Sequence, residues 1–320
     1  MSLIGKKIAF IFPGQGSQKL GMGRVWAEAS EEARAAFAEA DEALGFPLSK
    51  LCWEGPEEEL GLTENTQPAI VATSIAIHRA LGALAPALQP IAMAGHSLGE
   101  CSALVAAGAL GFADALRLVR RRGQLMQEAV PVGVGGMAAI IGMDPVAIAA
   151  VAADAGTADE ICAVANFNGP AQTVLAGHKA AIDRAAVLAR ERGARKVSIL
   201  AVSAPFHSPL MRPAREGLAP ILAATPFADP RVPVVDNADA VPVLNGAAAR
   251  EALERQIDSP VRWVESVQWM EDVAGVEVFV EVGPGNVLAG LTRRIVREAR
   301  VTNVADPDHL QKLLSEEEES

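Results

Sequence analysis

Apolar and polar positions follow two rhythms along this chain. Short runs of strand character, apolar throughout at 8–12 and 91–94 and broken only by Glu277 and Glu281 at 276–282, are separated by longer stretches in which apolar residues return every three or four positions, at 24–43, 67–85 and 97–109. Runs that are apolar throughout belong to strands buried on both faces, so the alternation predicts an α/β fold around a mostly parallel sheet. Between Gly133 and Ser203 the rhythm changes to strand 137–142, helix 144–155, strand 161–167, strand 172–177, helix 178–192 and strand 196–202. This β-α-β-β-α-β order is ferredoxin-like. It predicts a small subdomain at 133–202 inserted into a large α/β domain made of 1–132 and 203–320, with hinges at 131–136 and 203–209. The cleft between the two is the expected ligand site.

Composition narrows the partners more than the fold. Half of the 320 residues are hydrophobic, ample for a sizeable core, and the net charge of −11 without basic runs disfavours nucleic acid and anionic membranes. No apolar run approaches the roughly 20 residues of a membrane span, and the five that follow Lys6-Lys7 are too few for a signal peptide, so a cytoplasmic protein is expected. Cys52, Cys101 and Cys162 lie far apart, which predicts neither a disulfide framework nor a zinc site but three small buried residues. Residues 315–320 read as an acidic tail, and the absence of a coiled-coil pattern makes a monomer the expected state.

The candidate chemistry begins at Gly95-His96-Ser97-Leu98-Gly99, a serine between two glycines where a strand pattern runs into a helix pattern. A tight strand-to-helix turn forces the serine backbone into an uncommon conformation and exposes its hydroxyl at a helix N-terminus, where free N–H groups favour a developing oxyanion. That arrangement suits acyl transfer through an acyl-serine. A base must come from five histidines. His78, His178 and His309 sit in helix or terminal patterns that call for no chemistry. His96 adjoins the serine and is placed to support the turn. His207, in the proline-bracketed loop Ser203-Ala204-Pro205-Phe206-His207-Ser208-Pro209 at the proposed hinge, is the candidate base. No aspartate offers itself as a third member, which leaves a backbone carbonyl to orient the ring.

Arg122 is the second informative residue. At 100° per residue it falls in the middle of an apolar arc of Ala115, Leu118, Val119, Met126 and Ala129, while Arg117, Arg120 and Arg121 lie on the opposite face. A buried guanidinium requires an anion. Either an internal Asp or Glu supplies it, or a substrate carboxylate does. The loop Phe12-Pro13-Gly14-Gln15-Gly16-Ser17-Gln18 fits neither a dinucleotide fingerprint nor a P-loop, but can present a backbone N–H beside that of Leu98.

With these features in place the chain resembles the malonyl-CoA:acyl carrier protein transacylases over nearly its whole length. The matching blocks run in order: 12–18, Thr66-Gln67-Pro68-Ala69, Gly95-His96-Ser97-Leu98-Gly99-Glu100, Arg122-Gly123, Asn166-Phe167-Asn168, Pro205-Phe206-His207 and Glu281-Val282-Gly283-Pro284-Gly285. The resemblance implies a hydrolase-like α/β domain with a ferredoxin-like insert. It implies that Ser97 is acylated, His207 is its base, Arg122 holds the malonyl carboxylate, and the N–H groups of Gln15 and Leu98 form the oxyanion hole. Gln256 matches a glutamine whose carbonyl orients the histidine, Gln67 matches a pocket glutamine, and Asn168 lies in one of the shared blocks. Phe206 stands where some stand-alone relatives carry Ser; in related polyketide acyltransferase domains a Phe here looks like a marker of malonyl over methylmalonyl.

The implied reaction is a ping-pong transfer of malonyl from malonyl-CoA to the phosphopantetheine thiol of acyl carrier protein, with no metal or redox cofactor. A serine thioesterase and a non-catalytic carrier-binding scaffold are the alternatives, and a polyketide rather than fatty acid pathway stays open. An acidic chain that meets an acidic carrier needs a local basic patch. Arg117, Arg120 and Arg121, or Arg190, Arg192, Arg195 and Lys196, are the candidates.

Overall fold

The computed structural model describes residues 3–202, 204–304 and 306–315. Ser203, at the expected second hinge, and residues 316–320 of the expected tail lie outside the described residues. In chain order the first elements are β1 Ile8–Phe12, α1 Arg24–Ala29, α2 Glu31–Leu44, α3 Leu48–Glu54, α4 Glu57–Gly61, α5 Thr63–Leu84, β2 Pro90–Gly95, α6 Gly99–Ala106 and α7 Phe112–Glu128. Then come β3 Gly135–Ile141, α8 Pro145–Ala155, β4 Cys162–Gly169, β5 Gln172–His178, α9 Lys179–Glu191 and β6 Lys196–Ile199. The last part holds α10 Arg212–Ala224, β7 Val234–Val235, β8 Pro242–Val243, α11 Gly246–Gln256, α12 Trp263–Gln268, β9 Val278–Glu281, α13 Val287–Thr292, β10 Arg300–Asn303 and α14 Pro307–Ser315.

Six strands form one sheet in the order β10-β9-β1-β2-β7-β8, parallel except for the β7–β8 pair. β1 is buried at every position because helices cover both faces. Its side chains alternate between them: Ile8, Phe10 and Phe12 pack into the core under α2, α5 and α7, whereas Ala9 and Ile11 face Trp263, Met270 and Phe279. The α/β class read from the alternation is therefore the observed one.

β3 to β6 form a separate antiparallel sheet in the order β4-β5-β3-β6, the strand order of a ferredoxin-like unit. α8 and α9 bury Ala138, Ile140 and Leu175 on one face. The other face, with Met137, Ala165, Val174 and Ala176, meets Leu200, Val202 and Phe206. A backbone stitch ties the small sheet to the segment between α11 and α12: Phe167 N–H donates to Val261 O at 2.9 Å and Val261 N–H to Ala165 O at 2.8 Å.

Local differences from the sequence reading have local causes. The single helix expected over 24–43 breaks at Ser30, whose extended backbone and side chain cap α2 by accepting the Ala33 N–H. α5 begins at Thr63 rather than Gln67 and carries Pro68 inside it. The strand expected to run to 202 ends at Ile199, so that Leu200, Ala201 and Val202 leave the sheet and line the cleft. Cys52 and Cys101 are buried but Cys162, on β4, is only half-buried, which corrects the expectation for that residue. Among the described residues no helix is long and apolar enough to cross a membrane.

Candidate active site

β2 delivers its C-terminus to a turn that has no room for side chains. A Cβ on Gly95 would lie 1.9 Å from Gly99 O, and one on Gly99 would lie 2.0 Å from Phe12 O. Between them Ser97 takes a left-handed backbone, φ 52°, before α6 starts at Gly99. For a residue with a Cβ this costs about 1–3 kcal/mol, so something must hold it. Asn237, fully buried just beyond β7, does so from both sides: its Oδ1 accepts the Ser97 N–H at 2.6 Å and its Nδ2 donates to Gly95 O at 2.7 Å.

His207 approaches from the loop after the small sheet, also left-handed at φ 57° and 4% exposed. Its Nε2 lies 2.6 Å from Ser97 Oγ and its Nδ1 lies 2.9 Å from the main-chain oxygen of Gln256. A carbonyl oxygen only accepts, so Nδ1 carries the proton and Nε2 is left as the acceptor for the serine hydroxyl. Burial first, and the nearby Arg122 cation second, push the imidazole down to about 3, so it is neutral at physiological pH.

Arg122 projects from the buried face of α7 and is 4% exposed. Its Nη1 donates to Gln67 Oε1 at 2.9 Å, and its Nη2 to Gln256 Oε1 at 2.8 Å and to Ser97 Oγ at 3.2 Å. Of the two anions left open by the sequence, no internal one touches the guanidinium: among the described residues no Asp or Glu makes a direct ion pair with Arg122, and Glu100 reaches it only through Gln256. A guanidinium that meets two neutral amides and a hydroxyl keeps an unspent affinity for a carboxylate.

These groups line a cleft of about 520 Å³. Met137 and Val174 of the small sheet form one wall, with Phe206 half-buried beside them; Gln15, Thr63 and Gln67 form another. Among the described residues no acceptor takes the N–H of Gln15 or of Leu98, so both are free to bind an oxygen. Gln15 is steadied by its side chain, which donates to Thr63 Oγ1 at 3.4 Å. His96 turns away from the serine hydroxyl; its Nε2 pairs with Asn168 Oδ1 at 2.7 Å and its ring leans on Trp263. His78 lies instead between Phe10 and Phe12, and His178 Nδ1 accepts the Ile161 N–H, both outside the cleft.

Sequence reasoning missed the layer beneath. Glu100, 1% exposed on α6, accepts the Asn237 N–H at 2.9 Å and the Gln256 side-chain N–H at 2.8 Å. Burial and the neighbouring Asp236 push its carboxyl up to about 8. Asn237 had one available signal, a polar Asp-Asn pair directly after the apolar Val234-Val235. Cys101, next along α6, is pushed by burial to about 12 and offers no competing thiolate.

The acyl transferase domain family matches residues 9–313. The chain is 48% identical over 304 residues to the malonyl CoA-acyl carrier protein transacylase of Escherichia coli K12, spanning 94% of this chain and 96% of that one. It is 46% identical over 305 residues to the protein of the same name from Bacillus subtilis 168, spanning 95% of each. A crystal structure of an acyl carrier protein S-malonyltransferase from Vibrio cholerae has a TM-score of 0.93 at 48% identity, covering 96% of this chain and 99% of that chain. A malonyl-transacylase solved in complex with a type II polyketide acyl-carrier protein also has a TM-score of 0.93, at 45% identity, covering 97% and 99%.

Proposed function

The chain belongs to the acyl transferase family, among the malonyl CoA-acyl carrier protein transacylases, and we propose that it moves malonyl groups from malonyl-CoA to the phosphopantetheine thiol of holo acyl carrier protein. The observation that carries this reading is the position of Ser97 Oγ, 2.6 Å from a neutral imidazole nitrogen and 3.2 Å from a guanidinium without an anion. His207 Nε2 takes the hydroxyl proton as Ser97 Oγ attacks the thioester carbonyl. The N–H groups of Gln15 and Leu98 receive the oxyanion. Collapse of the tetrahedral intermediate expels the CoA thiolate, which leaves with the proton that His207 returns. The second half repeats the sequence in reverse: the carrier thiol gives its proton to His207, its sulfur attacks the malonyl-serine, and Ser97 is restored.

Arg122 sets the substrate class. A malonyl group ends in a carboxylate that the two Nη atoms can bind side by side, and an acetyl group leaves the cation unpaired. His96 and Asn168 brace the turn, Gln67 and Gln256 aim the guanidinium, and the Phe206 ring supports selection against a branched acyl group. Nucleophile, base, oxyanion donors and cation all come from one chain, so the proposed chemistry calls for no cofactor and no second subunit. The division at 133–202 serves this reading, since the small sheet supplies one wall of the cleft. The proposed setting is cytoplasmic fatty acid chain elongation, a reading supported by three cysteines that form no disulfide.

Intact-protein mass after brief exposure to malonyl-CoA tests the proposal. One malonyl adduct is expected on the native chain and none on Ser97→Ala, and holo carrier protein should discharge it. Rapid release of free malonate without an adduct would turn the reading to a thioesterase, and no reaction to a scaffold.

A further inference from the structure

Glu100 is a buried titratable group that the proposed steps leave unused, yet it lies one side chain from the substrate-binding cation. Gln256 bridges the two. Arginine is purely a donor, so the glutamine oxygen must face Arg122 Nη2, at 2.8 Å, and its amide nitrogen must face Glu100 Oε2, also at 2.8 Å. The same nitrogen donates to Ser97 O at 2.9 Å. An ionised Glu100 and Arg122 thus sit at the two ends of one aligned amide dipole, out of water, where opposite charges attract strongly.

We propose that Glu100 is a specificity-determining positioning residue, whose carboxylate competes with the acyl carboxylate for Arg122 and whose protonation releases Arg122 to bind it. The inference rests on the reading of Arg122 given above. When both carboxylates are ionised the buried cluster carries one negative charge too many, and Glu100 relieves it by taking one proton from solvent; no other bond changes. The groups facing Glu100 support this. Asp236, beyond β7, adds like charge; Gln256 of α11 and Asn237 are neutral; Arg122 of α7 is the cation nearby, and Cys101 on its own helix is held as a thiol. Burial and Asp236 already push Glu100 to about 8 with the site empty. A second carboxylate at Arg122 moves it further up. Affinity for the malonyl group therefore falls as pH rises through the titration of Glu100.

Equilibrium binding of malonyl-CoA to Ser97→Ala, followed by calorimetry from pH 6 to pH 9.5 in buffers of different ionisation enthalpy, tests this without turnover. The expected result is a dissociation constant that rises about tenfold per pH unit above pH 8, with close to one proton taken up per ligand. In Ser97→Ala/Glu100→Gln, which keeps an acceptor for Asn237 and Gln256, the rise and the proton uptake should vanish; with Asp236→Asn in its place they should remain. A flat profile with no proton uptake in Ser97→Ala overturns the proposal, and needs no second variant to fold. A rise that survives Glu100→Gln also overturns it, while leaving the Arg122 reading intact. If Ser97→Ala/Arg122→Ala binds malonyl-CoA as tightly as Ser97→Ala, the reading of Arg122 fails, and this proposal with it.

Discussion

The ring of His207 is oriented by the main-chain oxygen of Gln256, 2.9 Å from its Nδ1, and among the described residues by no carboxylate. A neutral partner adds no negative charge to hold a proton on the ring, and burial beside Arg122 takes it down to about 3. The proposed base is thus ready well below the usual histidine value of 6.5. The acylation rate constant kcat/KM with malonyl-CoA is expected to stay flat between about pH 5 and pH 7. Stopped-flow acylation across that range checks it, and a titration near 6.5 would assign the base elsewhere.

The same contact separates the two jobs of Gln256. Gln256→Ala keeps the backbone oxygen for His207 but removes the side-chain partners of Arg122 and Glu100. KM for malonyl-CoA should rise about tenfold or more, since a charge-assisted hydrogen bond is worth roughly 1.5–3 kcal/mol. Reaction of Ser97 with a small activated ester that lacks a carboxylate should change by less than about threefold. Equal losses in both assays would place the side chain in the serine–histidine machinery itself.

Arg122→Ala removes the only cation assigned to the acyl carboxylate. Malonyl transfer is expected to fall by about two to three orders of magnitude in kcat/KM, with a gain for acetyl-CoA, because the cleft then loses an unpaired charge that an acetyl group cannot satisfy. Parallel transfer assays with the two thioesters read the ratio. An unchanged ratio would return Arg122 to a purely structural part.

Much of this site was legible in the sequence, and the rest was hidden for a physical reason. Ser97 announces itself because the turn's geometry demands glycines at Gly95 and Gly99, and that demand is local. Arg122 stands out because helical periodicity is local too, and His207 emerged by elimination. Nothing local tells the role of Glu100, and Asn237 has only the polar pair after Val234-Val235; Asn237 meets Ser97 across 140 positions of sequence, a contact only the parallel β2–β7 pairing creates. β7 and β8, two residues each, are too short to leave a periodic trace, and the break at Ser30 was masked by helix-forming residues on both sides.

Asn237→Ala leaves the Ser97 N–H and Gly95 O without the partners that a fully buried side chain supplies. Each orphaned group costs about 1–3 kcal/mol, and the left-handed serine backbone loses its clamp. A lower Tm, together with acylation slowed by about ten- to a hundredfold at unchanged KM, is expected. A drop in Tm with full kcat would reduce Asn237 to scaffolding.

Buried titratable groups set two opposing trends in stability. Burial holds Glu100 at about 8 and Glu281 at about 7, above the 4.5 of an ordinary glutamate, so the folded chain keeps protons that the unfolded chain releases. Stability is therefore lost as pH rises from 4.5 toward 8. His207 at about 3 and His78 at about 4 lie below 6.5, so the unfolded chain binds protons that the folded one refuses, and stability is lost as pH falls from 6.5. The two slopes cancel at about pH 5 to 6, where Tm should peak. Scanning calorimetry from pH 4 to pH 9 checks the peak, and Glu100→Gln should flatten its alkaline side.

Carrier docking distinguishes the two basic clusters. On α7, Arg117 pairs with Asp114, Arg121 with Glu128, and Arg120 lies over the Phe46 ring, so that face spends its charge internally. On the small sheet Arg192 pairs with Asp154, but among the described residues Arg190, Arg195 and Lys196 are exposed and have no ion-pair partner. Arg195 and Lys196 stand at the head of β6, the edge strand whose continuation, Leu200 to Val202, lines the cleft, and Arg190 lies in the last turn of α9. An acidic carrier bound along this edge would meet positive charge one strand's length from the cleft its pantetheine thiol must enter. Reversing Arg190, Arg195 and Lys196 to Glu should therefore slow discharge onto the carrier by about tenfold or more, with a weaker salt dependence, while loading from malonyl-CoA proceeds at the native rate. Reversing Arg117 and Arg121 should leave both half-reactions within about twofold. Equal slowing of loading and discharge by the first set would assign those cations to the CoA phosphates instead, since only a contact with the carrier can act on the second half-reaction alone.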